Sequence, residues 1–76
     1  MNKSRRLKLQ KIFDRLDEIR EELEEIRDQE QECLDNYPES LQSTERYERA
    51  EECCDTLDSA CDSLQEVLDY IEGAME

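Results

Sequence analysis

Apolar residues return along this chain at alternating intervals of three and four. From Leu9 the series runs through Ile12, Leu16, Ile19, Leu23, Ile26, Glu30, Cys33 and Tyr37, with Glu30 as its one polar member. A second series runs through Tyr47, Ala50, Cys54, Leu57, Cys61, Leu64, Leu68, Ile71 and Met75. This spacing gathers side chains into one stripe of an α-helix, and a seven-residue repeat is that of helices packed against a neighbour. The expected fold is all-α, an antiparallel two-helix hairpin of coiled-coil type, with pairing into a four-helix bundle as its expected assembly.

Residues 36–43, between the two series, read as a turn. Pro38 lacks an N–H and keeps Tyr37 out of helical geometry, so helix 1 is expected over residues 4–35. Ser43 or Thr44 serves as N-cap of helix 2, expected over residues 44–73, with Glu45 in the first turn where the helix dipole favours an acid. Pro38 can itself open one short helical turn carrying Glu39 and Ser40. Leu41 is expected to pack over the hairpin's end, and Gly73 to stop helix 2. Asn36, Pro38 and Leu41 are thus the residues that make the bend. Folding there pairs positions whose numbers sum to roughly 80: Ile26 with Cys54, Leu23 with Leu57, Ile19 with Cys61, Leu16 with Leu64 and Ile12 with Leu68.

Apolar residues also flank the stripes. Cys53, Ala60, Val67 and Ala74 each stand one residue before a stripe position of helix 2, while Phe13 and Leu34 stand one after on helix 1. Phe13, Cys53, Ala60, Val67 and Ala74 are therefore the candidate interface, and the simplest cover is a second copy of the chain. Two other readings stand beside it: a monomer whose flank lies at the edge of the core, and a face kept for a different protein.

Size sharpens the need for cover. At 76 residues the chain is one domain, too small to bury a large core unaided. Charge adds a second feature, because residues 1–15 hold six bases against one acid and residues 16–76 hold four bases against 22 acids. In a hairpin the basic start comes beside Glu66, Asp69, Glu72 and Glu76, and mutual neutralisation is one reading of the pattern. A net charge of −13 repels phosphate, and no aromatic residues interleave with the bases, which argues against direct nucleic-acid binding. The carboxylates instead form a candidate acidic partner surface. They are Glu21, Glu22, Glu24, Glu25 and Asp28 on helix 1, with Glu48, Glu51, Glu52, Asp55 and Asp58 on helix 2. Such rows can imitate a phosphate backbone in the basic groove of a nucleic-acid-handling protein.

The four cysteines, Cys33, Cys53, Cys54 and Cys61, form no C-x-x-C pair and the chain has no histidine. Cys54 and Cys61 lie about 10 Å apart along a helix, too far for a structural zinc site. The hairpin register sets Cys33 and Cys53 roughly 9 Å apart along the axis, beyond disulfide reach. They read as small apolar residues in a reducing cytoplasm. The first 15 residues carry no apolar signal core, and no run is long enough to span a membrane. No nucleophile stands with a base. Glu30, the only acid in a stripe, is expected to face Ala50 and reach Arg46 or Tyr47, setting register rather than performing chemistry. Neither catalysis nor a cofactor is expected.

The segment DNYPESLQSTERYERAEE, followed by CDTLDSACDSLQEVLDYIE, resembles a type of small acidic helical-hairpin protein encoded by bacteria, prophages and phages. In that type an N-x-P-E-S-L-Q turn joins a charged first helix to an A-x-x-x-L-D-x-A-x-x-x-L second helix. The turn is matched by Asn36, Pro38, Glu39, Ser40, Leu41 and Gln42. Cys53, Cys54 and Cys61 stand where alanine or isoleucine is more usual in the type. The resemblance implies a hairpin in a mobile-element setting, where small acidic proteins often bind and block a host defence protein.

Overall fold

The computed structural model describes residues 1–76 as two long helices and a short turn, 59 Å from end to end. Helix α1 spans Lys3–Asp35 and α2 spans Glu45–Met75, with a 3-10 turn at Glu39–Leu41 between them. The two long helices pack along each other as a hairpin. No helix is long and apolar enough to cross a membrane.

Local chemistry sets the boundaries. Asn2 caps α1, its side-chain oxygen accepting from the Arg5 N–H at 2.8 Å. At the other end the Asn36 N–H donates to the Glu32 carbonyl, and Pro38, extended at φ −60° and ψ 140°, opens the 3-10 turn. Thr44 is the cap of α2. Its hydroxyl accepts from the Tyr47 N–H at 3.3 Å and donates to the Leu41 carbonyl at 2.6 Å, tying the turn to the helix. Glu45 and Glu48 then lie at the positive end of the α2 dipole. Gly73 does not stop α2: its φ is negative, and the helix runs through it to Met75. Glycine ends a helix only when it turns left-handed.

Helix α2 faces inward as its pattern predicts. Cys54, Cys61 and Leu68 are buried, and Tyr47, Ala50, Leu57, Leu64, Ile71 and Met75 are half-buried. Helix α1 is rotated from expectation. Ile12, Ile19, Ile26 and Cys33 are exposed, whereas Leu34 is buried and Phe13, Arg20 and Arg27 are half-buried alongside Leu9, Leu16 and Leu23. The inward stripe is therefore Leu9, Phe13, Leu16, Arg20, Leu23, Arg27, Leu34 and Tyr37, with Glu30 exposed at its margin. Both stripes share Leu9, Leu16, Leu23 and Tyr37, and the choice falls to the side where the arginine stems cover apolar surface while their heads reach carboxylates. Phe13, expected on an uncovered flank, belongs to the packing between the helices.

The register also moves. The Tyr37 ring meets the Tyr47 ring edge-on at 5.3 Å between centroids, Arg27 Nε lies 3.5 Å from Asp58 Oδ1, and Glu30 acts on Cys54. These contacts put level positions at sums near 84, not 80. Leu16 is thus level with Leu68, Leu23 with Cys61, Arg27 with Leu57 and Glu30 with Cys54, so Glu30 does not face Ala50. Residues 3–8 consequently extend past the end of α2. The basic start forms no ion pair with Glu66, Asp69, Glu72 or Glu76.

Candidate interaction surface

Only Leu34, Cys54, Cys61 and Leu68 are buried in the whole chain, so what distinguishes this molecule lies on its outside. Its two broad faces are unlike. One residue turns a helix by about 100°. Asp17 and Glu24 follow Leu16 and Leu23 and so lie along one edge of α1, while Asp58 follows Leu57 along one edge of α2. The Arg27–Asp58 contact shows that these edges share a side.

That side is a polar ladder centred on two arginines. Arg20 Nη2 lies 2.7 Å from Asp17 Oδ1 and Nη1 lies 3.0 Å from Glu24 Oε1. Arg27 Nη2 holds Asp28 Oδ1 at 3.0 Å, and its Nε faces Asp58 in the only ion pair that crosses between the helices. The hydrogen bond to Asp17, helped by the charge of Glu24, raises the Arg20 pKa above its ordinary value. The bond to Asp28 does the same for Arg27. Both guanidiniums are firmly cationic and already satisfied within one chain.

The opposite side is apolar. Ile12, Ile19 and Ile26 each precede an inward residue of α1, and Cys53, Ala60, Val67 and Ala74 each precede one of α2. By the same rotation both rows turn away from the arginine ladder and share one face. Ile12 is 45% exposed, Ile19 50%, Ile26 51% and Val67 43%. The inward pattern of α2 made its own row legible. The isoleucine row is hidden in the sequence, because its hydrophobicity and spacing point to the core.

The ten candidate acids do not form one continuous surface. Glu24, Asp28 and Asp58 are engaged by arginines, whereas Glu21, Glu22 and Glu25 lie free on α1. Glu48, Glu51, Glu52 and Asp55 line a shallow acidic depression on α2 together with Glu45 and Arg49. Leu41 is half-uncovered and lines a second depression at the bend with Asn36, Tyr37 and Pro38.

All four cysteines are free thiols, with Cys33 and Cys53 exposed and Cys54 and Cys61 buried. Burial, and after it the nearby charges of Cys53 and Glu30, pushes the Cys54 thiol up. Its thiolate is the reactive form, so at pH 8 Cys54 is expected to react with a thiol reagent at least about tenfold more slowly than Cys33. Mass spectrometry of partially alkylated chain checks this, and equal rates at the two sites would contradict the packing of α2.

The fold and its two faces define a class of protein: a two-helix antiparallel coiled coil, polar on one side and apolar on the other. Neither the family models, nor the curated proteins, nor the solved structures offer a match to this chain.

Proposed function

We propose that this protein is a non-enzymatic interaction module of the cytoplasm that pairs with a copy of itself. Its acidic exterior then inhibits, or serves as an adaptor to, a protein of the host that a phage or other mobile element occupies. The uncovered apolar face carries this reading. The chain exposes 6032 Å² at 9.1 kDa, where a compact monomer of that mass exposes about 4,900 Å². The excess reflects a long, thin hairpin of 59 × 15 × 13 Å that has little interior of its own.

A second reading has the acids imitate nucleic acid and block a nucleic-acid-binding defence protein. The acidic depression on α2 favours it, while the arginines that break the acid row on α1 weigh against it. Salt separates the two once a partner is in hand. Binding that falls steeply between 50 and 200 mM salt supports mimicry, whereas binding indifferent to salt and lost in Val67→Asp supports an apolar contact.

Self-association is tested first, by light scattering over a concentration series in reductant at two salt levels. The expected mass is twice the 9.1 kDa chain. A single-chain mass at every concentration would remove the paired assembly.

A further inference from the structure

We infer that the second copy packs antiparallel, with α1 against α1 and the two-fold axis at Ile19. This rests on the self-association proposed above and specifies its geometry. Ile12, Ile19 and Ile26 are evenly spaced on one edge of α1 and about half exposed. An axis through Ile19 therefore sets Ile12 of each copy against Ile26 of the other, and Ile19 against itself. The broad face measures 59 Å by 15 Å, comparable with the roughly 800 Å² that each partner contributes to a stable interface.

Charge chooses the orientation. Residues 28–52, the turn end, hold nine acids against two bases, while residues 1–15 and 62–76 together hold six of each. A parallel pair sets the two acidic ends side by side. The antiparallel pair sets each acidic end beside a balanced one. It also finds a place for the basic segment that runs past the end of α2. With the axis at Ile19, Lys8, which precedes Leu9 and so lies on the isoleucine side, comes level with Glu30 of the second copy. None of the six bases in residues 3–15 has an ion-pair partner within its own hairpin.

One pair tests the geometry closely. Arg15 and Glu22 stand three residues after Ile12 and Ile19, so both lie on the outer margin of the isoleucine row. In the antiparallel pair Arg15 comes within one residue of level with Glu22 of the second copy, and symmetry makes this contact twice. In the parallel arrangement α1 lies over α2 of the other copy, and Arg15 never meets Glu22.

The test is a charge exchange in the full chain at low salt. Arg15→Glu, Glu22→Arg and the double variant are compared with the parent for dimer dissociation by sedimentation equilibrium, with circular dichroism to follow helix content. Both side chains are exposed, so the hairpin itself should tolerate each change. Each single variant is expected to weaken the dimer by about tenfold or more, and the double to return within about threefold of the parent. If the parent is a dimer and the double is no tighter than the singles, the antiparallel geometry is overturned while self-association stands. A parent that stays monomeric overturns self-association and this geometry with it.

Discussion

Replacing Leu68 by alanine is expected to leave the chain largely unfolded at 25 °C. Leu68 is 1% exposed, the most deeply buried large side chain of the molecule, level with Leu16 across the hairpin. Removing a buried leucine's branch costs about 2–5 kcal/mol, the upper part where neighbours cannot close the cavity. A chain this size has about 4–11 kcal/mol to lose by the usual per-residue scale, and a core of four buried residues points to the low end. The pairing proposed above would raise the apparent stability by mass action, so the loss should be fullest in dilute samples. Thermal melting followed by far-ultraviolet circular dichroism measures it. Tyr70→Ala, at a residue 77% exposed, serves as the contrast and should melt with the parent. A Leu68→Ala chain that melts like the parent would mean that this contact is not what holds the helices together.

Ile19→Asp should act on assembly instead. In the single hairpin the side chain is half in water, so an aspartate there loses little packing and keeps its solvation. In the proposed pair two aspartates would meet at the axis, like charges partly stripped of water, with only Arg15 four residues earlier on each helix to offset them. Such a burial costs several kcal/mol, and the dimer should weaken by at least about a hundredfold. The expected result is a single-chain mass at concentrations where the parent is paired, with helix persisting and melting no longer dependent on concentration. A paired Ile19→Asp chain would exclude the isoleucine row as the interface.

The hairpin, the bend at Asn36–Pro38 and the inward face of α2 were legible in the sequence, because in α2 every inward position is apolar and its polar neighbours leave one choice. Helix α1 offered two. Counting hydrophobic residues selects Ile12, Ile19 and Ile26, since Arg20 and Arg27 score as polar. That count has no place for an arginine whose stem packs and whose head is met by Asp17, Glu24, Asp28 or Asp58. The same error concealed the apolar face of α1, for a residue assigned to the core is not sought outside it. Pairing at sums near 80 supposes a bend symmetric about residue 40, and the observed sums near 84 centre it on residue 42. Tyr37, beyond the last residue of α1, still packs edge-on against Tyr47 and carries the pairing two residues further. The acidic surface was legible as composition only, since which carboxylates meet an arginine depends on the rotation of α1.

The scarcity of buried side chains has a consequence for how such a molecule can change over generations. With Leu34, Cys54, Cys61 and Leu68 as its only buried residues, most of its positions can be replaced without loss of the hairpin. Carboxylates such as Glu21, Glu22 and Glu25 are the freest to drift, because no arginine of the chain holds them. Substitutions can therefore accumulate on the outside of this scaffold residue by residue while its two helices stay as they are.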